Sequence, residues 1–119
     1  MMKRANAKCL PALQEERAAA MLSALSSPVR LRLYRLLLRA GDQGLNVTNI
    51  QRTAGIPAST LNHHLAALAG AGLISQEKAG RDLICHARYD DIQRLSAFLL
   101  QECCMDAPAA ALRILGVAA

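Results

Sequence analysis

The side chains in this sequence best equipped for chemistry are its four cysteines, Cys9, Cys85, Cys103 and Cys104. A thiolate is a nucleophile and a soft ligand, so these residues suit soft metal or metalloid centres, or redox sensing. No two of them have the C-x-x-C spacing of a structural zinc site or a thioredoxin-type centre. A full set of four nitrogen or sulfur ligands for zinc is also missing at any standard spacing. Cysteine is equally a common buried small hydrophobe, so a packing role stays open for Cys85 and Cys103. The acids offer less. Asp90 and Asp91 are a close acidic pair, and they sit where a helix would begin and carboxylates meet the positive end of its dipole. With no phosphate-cradling glycine loop and no metalloprotease helix, the sequence does not read as an enzyme.

A second group of residues suits contact rather than reaction. Ile56-Pro57 forces a turn, and the segment after it reads as a helix to about Ala69, ended by Gly70 and Gly72. At about 100° per residue, Leu61, Leu65 and Leu68 fall within about 60° of one another and define a buried stripe. Ser59, Asn62, His63 and Ala66 lie roughly 100° to 200° away, with Thr60 on the other flank. These small or hydrogen-bonding side chains suit close approach to base edges in a major groove, though they would equally make an ordinary solvated face. His64 lies about 60° from the stripe and reads as a partly buried histidine holding a hydrogen bond. No residue from Thr53 to Gln76 is charged. Phosphate contacts, which supply much of the affinity of DNA-binding proteins, must then come from around this helix. The candidates are Arg52, the series Arg30, Arg32, Arg35 and Arg39, and Lys78, Arg81 and Arg88, with Arg81 at a hairpin tip the best placed.

Positioning these residues falls to a small scaffold. The 119 residues have room for about one domain, and 53% hydrophobic content suffices for a core. One Phe, two Tyr and no Trp leave that core to Leu, Ala, Ile and Val, which favours small helices over a large β-sandwich. Apolar spacing marks a helix from Leu13 to Leu25, and Ser27-Pro28 opens a second that runs to Gly41. Asn46 caps a short third helix, Val47 to Ala54, stopped by Gly55. With the helix after Pro57 this makes a helix-turn-helix. Leu73 to Ala79 and Asp82 to Arg88 read as two strands around Gly80-Arg81. A last helix starts near Asp90-Asp91 and carries Ile92, Leu95, Phe98, Leu99 and Leu100 toward Cys103-Cys104, with Cys103 continuing its packed stripe. The expected fold is mainly α with a small β-hairpin, in the order ααααββα. A flexible segment 1–10 precedes the domain at 11–106, and a tail occupies 107–119. Fourteen Lys and Arg against nine acids give a net charge of +5, compatible with a polyanionic partner. No run approaches the roughly 18 apolar residues that would cross a bilayer. No membrane partner is therefore expected, and a cytoplasmic location is, where thiols stay reduced.

The segment Ile56-Pro57-Ala58-Ser59-Thr60-Leu61-Asn62-His63-His64-Leu65-Ala66-Ala67-Leu68, followed by Ala71-Gly72-Leu73-Ile74 and Gly80-Arg81, resembles the ArsR/SmtB family of winged-helix repressors. That family's recognition helix reads S-T-x-S-H-H-L-x-x-L and leads through A-G-L-V/I to a wing with G-R at its tip. Ala24-Leu25-Ser26-Ser27-Pro28-Val29-Arg30-Leu31 is similar to its second-helix entry, and the likeness spans about residues 20 to 90. It implies a winged helix-turn-helix homodimer, held by the first and last helices, that binds a roughly palindromic operator and releases it when an inducer binds. Ser59, Thr60, Asn62 and His63 would then occupy recognition-helix positions and Arg81 the wing tip, with Arg52 a flanking DNA contact.

The sequence departs from the founding members at both of their inducer sites. Asn46-Val47-Thr48 stands where they carry a C-x-C pair, and no histidine occurs from Asp90 to Asp106, where others build a zinc or nickel site. Some members hold an arsenical on a wing-strand cysteine plus one or two cysteines at the end of the last helix. Cys85 with Cys103 and Cys104 looks like that arrangement, within one subunit or across the dimer. The resemblance thus implies a thiophilic inducer, arsenite or methylarsenite, and no obligatory cofactor. Three thiolates suit inorganic As(III), two suit a methylated arsenite, and Cys9 is an optional further ligand. Redox or persulfide sensing by the same thiols is the alternative mechanism. A winged-helix interaction module without DNA binding is the alternative of another class.

Overall fold

The computed structural model describes residues 12–107 and Gly116. The segment expected to be flexible at 1–10, Cys9 within it, and nearly all of the tail at 107–119 lie outside the described residues.

Helix boundaries fall where the chain supplies caps. Helix α1 spans Glu15–Ala24, with Glu15 and Glu16 in its first turn facing the positive helix end. Helix α2, Pro28–Ala40, opens with the Ser27 hydroxyl accepting the Arg30 N–H at 3.4 Å and proline at its first position. Helix α3, Val47–Ala54, is capped by Asn46, whose Oδ1 accepts the Asn49 N–H at 2.7 Å. Gly55, in the left-handed conformation, ends it. Helix α4, Ala58–Gly70, completes the helix-turn-helix, and helix α5 spans Tyr89–Leu100.

Strands β2, Ile74–Ala79, and β3, Asp82–Ala87, form the expected hairpin. A third strand was not expected. Strand β1, only Leu45–Asn46, pairs antiparallel with β3 on the side away from β2, opposite Cys85 and Ile84. Two residues are too short for any alternation to announce them. Gly44 admits the pairing, because a Cβ there would run into the Cys85 carbonyl and the His86 ring. The observed order is therefore ααβααββα, the winged helix-turn-helix with one short strand added.

The core is aliphatic, as the composition required. Met21 of α1, Leu33, Tyr34 and Leu37 of α2, Ile50 of α3 and Leu73 are buried together. The stripe expected on α4, Leu61, Leu65 and Leu68, is buried as a set. The stripe expected on α5 is cut short. Leu95 is buried and Ile92 half-buried, but Leu99 is exposed and the helix stops at Leu100. Residues 101–107 follow as successive tight turns, with the Cys103 N–H on the Leu100 carbonyl at 2.9 Å. Cys103 is consequently exposed in a turn rather than packed on a helical stripe, because the helix stops at Leu100, before reaching it. No helix among the described residues is long and apolar enough to cross a membrane.

Candidate nucleic-acid interface and thiol pair

Burying Leu61, Leu65 and Leu68 against α1, α2 and the sheet forces the opposite face of α4 outward. Ser59, Thr60, Asn62, His63 and Ala66 are all exposed there, as the helical spacing requires. The surface offers hydroxyl, amide and imidazole groups with no fixed charge. Positive charge comes from the elements before and after it in the chain. Arg52 is exposed in the last turn of α3, and Arg81 is exposed at the tip of the β2–β3 hairpin, beside Gly80 in a positive-φ turn.

Two arginines among the sequence candidates for phosphate contact are committed elsewhere. The Arg30 guanidinium donates through Nε to His64 Nδ1 at 3.3 Å and through Nη1 to the Ala24 carbonyl at 3.5 Å. Arg88 holds Asp91 through a 2.7 Å charge-assisted bond. His64 is the hydrogen-bonded, partly buried histidine that its angle on the helix suggested. Desolvation first, then the Arg30 charge, then His63 hold it below its ordinary value. The neutral ring keeps Nδ1 free to accept from Arg30.

Asp91 does more than start a helix. It is buried, and Arg17 of α1, Arg88 before α5 and Arg94 of α5 converge on its carboxylate at 3.4, 2.7 and 3.6 Å. The spacing i, i+3 from Arg88 and to Arg94 was visible in the sequence. The arrival of Arg17, 74 residues away, had no local signal.

The thiols divide into two environments. Cys85, mid-strand in β3, is fully buried and accepts a 3.5 Å hydrogen bond from the Gln76 amide on the neighbouring strand. Burial pushes its thiol up, and the Gln76 bond offsets part of that rise. Cys103 and Cys104 lie in the turns after α5 with their Sγ atoms 3.3 Å apart. Cys104 has a positive φ of 64°, and its hydrogen bond with Cys103, followed by burial, raises its pKa. The single chain therefore brings Cys103 and Cys104 together and leaves Cys85 apart. Among the described residues no cluster of three or more His, Cys, Asp or Glu side chains could hold a metal.

A model of a helix-turn-helix domain matches residues 25–77. The HTH-type transcriptional regulator YgaV of Escherichia coli (strain K12) is 29% identical over 89 residues, 75% of this chain and 88% of that protein. The transcriptional repressor BigR from Xylella fastidiosa shares the fold at a TM-score of 0.58 and 25% identity, over 75% of this chain and 88% of that one. A homodimeric winged helix-turn-helix DNA-binding domain from Mycobacterium bovis, Mb0332, gives a TM-score of 0.60 at 20% identity, over 83% and 94% of the two chains. The fold and the matched segment define a winged helix-turn-helix domain. The same architecture is found in the ArsR family transcriptional regulator RHA00566, at a TM-score of 0.65 and 21% identity over 77% of this chain and 92% of that one, a likeness of fold.

Proposed function

We propose that the chain is a homodimeric repressor that seats α4 in the major groove of a roughly palindromic operator and leaves it when a thiophilic inducer binds its cysteines. The observation that carries the DNA half is the uncharged face Ser59, Thr60, Asn62 and His63, exposed on α4, with Arg52 exposed on the element before it in the chain and Arg81 on the hairpin after it. Hydrogen-bonding side chains there would read base edges, and the arginines would hold phosphates. Dimerisation through α1 and α5 is supported by Leu22, Leu99 and Leu100, which are 43%, 56% and 63% exposed on those helices.

For the inducer, the supporting observation is the 3.3 Å separation of Cys103 Sγ and Cys104 Sγ. Methylarsenite has two exchangeable hydroxyls. Each thiol displaces one, forming an As–S bond and releasing one water, with arsenic trivalent throughout. Soft thiolates favour such a soft centre. Inorganic arsenite has three exchangeable positions and calls for a third thiol, for which Cys9, or a Cys85 brought out of its buried position, would be needed. Capture next to α5 would alter the dimer contact and through it the spacing of the two recognition helices.

Fluorescence anisotropy with the DNA upstream of the chain's own gene tests both halves. Binding should depend on sequence and weaken with salt, and methylarsenite should release the DNA. Cys103→Ser or Cys104→Ser should abolish release while leaving DNA affinity intact. Release by hydrogen persulfide and not by arsenicals would replace chelation with redox sensing. Sequence-independent binding, or none, would leave the fold as an interaction module.

A further inference from the structure

A groove of about 550 Å³ runs along the outer face of α2 where it meets the C-terminal turn of α3. The proposed DNA face rests on Arg52 and Arg81, and the remaining phosphate candidates of α2, Arg32, Arg35 and Arg39, line this groove instead. Leu31, Leu36 and Leu38 of α2 and Ala54 of α3 supply a largely apolar wall, and Leu31 is 43% exposed although it is a large aliphatic residue. Arg32, Arg35 and Arg39 line the same groove. Their spacing of three and four residues sets them along one side of α2. All three are exposed, and among the described residues none of them has an ion pair and no acidic side chain lines the groove.

We propose that this groove binds a soluble organic anion with an apolar body, of the medium-chain carboxylate class. Its volume is in the range of small-molecule sites, which pair apolar walls with a few placed polar groups. A guanidinium takes a carboxylate in a bidentate, charge-assisted pair, and more than one arginine is within the groove to do so. The chain or ring of the ligand would cover Leu31 and Leu36, removing apolar surface from water. A bare inorganic anion would leave that wall wet, and a neutral amphiphile would leave the arginines unmatched. The site is separate from the thiols, so its occupancy does not depend on the cysteine chemistry proposed above.

Isothermal titration of the full chain with decanoate, kept below its micellar range, tests this. Saturable binding of one decanoate per chain is expected, with decanol and acetate each at least tenfold weaker. The double variant Arg35→Gln/Arg39→Gln should weaken decanoate at least tenfold. Arg81→Gln and Cys103→Ser should leave it unchanged. Absence of saturable binding overturns the proposal, as does equal affinity for decanol or an unchanged double variant. A double variant that loses affinity for DNA, in a chain that does not bind decanoate, would assign the arginine row to DNA phosphates and overturn it as well.

Discussion

The Nε–H of Arg30, in the first turn of α2, donates to Nδ1 of His64, in the middle of α4, across 3.3 Å. That bond fixes the imidazole tautomer, with the proton on Nε2, and pins the rotation of α4 about its axis. Ser59, Asn62 and His63 are on the same helix, so the direction of the proposed DNA-reading face is set partly by an arginine that does not itself face outward.

This pair makes stability sensitive to acid. His64 titrates below its ordinary 6.5 in the folded chain, through desolvation, then Arg30, then His63. The unfolded chain therefore takes up the proton first as pH falls. The His64 contribution is fully present above pH 6.5 and declines as pH drops through 6.5 toward the lower folded value. His64→Gln keeps an acceptor and cannot titrate. From about pH 7.5 to about pH 5.5 its melting temperature should fall less than the wild-type value, measured by circular dichroism.

Gly44 and Gly55 both have positive φ, 66° and 68°, but differ in what surrounds them. A methyl group at Gly55 meets open space, so Gly55→Ala should cost only the left-handed backbone penalty, about 1–2 kcal/mol. At Gly44 the same methyl would collide with the Cys85 carbonyl and the His86 ring. Gly44→Ala should therefore be the more destabilising in urea unfolding and should loosen the β1–β3 pairing. Equal losses would mean that β1 is not held closely against the wing.

Most of the fold was legible because its signals are local. Ser27-Pro28, Asn46 and Gly55 mark helix ends through short-range hydrogen bonds and backbone preference, and the bounds of α2 and α3 match them. The buried stripe of α4 follows from helical spacing alone, so the exposed face opposite it could be named residue by residue. What escaped depends on distant partners. Strand β1 pairs with β3 beside Gly44, and the Asp91 carboxylate is reached by Arg17 from α1, 74 residues away. The cysteines show the same limit. Adjacency in sequence was enough to bring Cys103 and Cys104 together, whereas no spacing rule relates them to Cys85.

Asp91 should be the most sensitive polar residue outside the core. Three arginines converge on its buried carboxylate, and their own ends are 25% to 50% exposed, so water screens part of each pair. Asp91→Asn keeps the size and one acceptor but leaves Arg17, Arg88 and Arg94 without their counter-charge. A loss of about 2 kcal/mol is expected from urea unfolding. Because Arg17 belongs to α1 and Arg94 to α5, the variant should also weaken dimerisation in sedimentation equilibrium. Loss of stability without any change in the monomer–dimer balance would confine the cluster to holding the monomer together.

The division of labour on the DNA face gives the last expectation. If Arg52 and Arg81 hold phosphates, each Arg→Gln variant should lower affinity for operator and unrelated DNA alike. Each should also flatten the dependence of log affinity on log salt by about 0.9 for a lost phosphate contact. Asn62→Ala should behave oppositely. It removes a hydrogen-bonding group from a neutral surface, so the salt slope should stay as in wild type while operator binding falls by about 1–3 kcal/mol and unrelated DNA is unaffected. Anisotropy titrations over a salt series with both DNAs separate the two behaviours. A salt slope that Arg52→Gln and Arg81→Gln leave unchanged would move the phosphate contacts off these two residues, and Lys78 on the wing would be the next to replace.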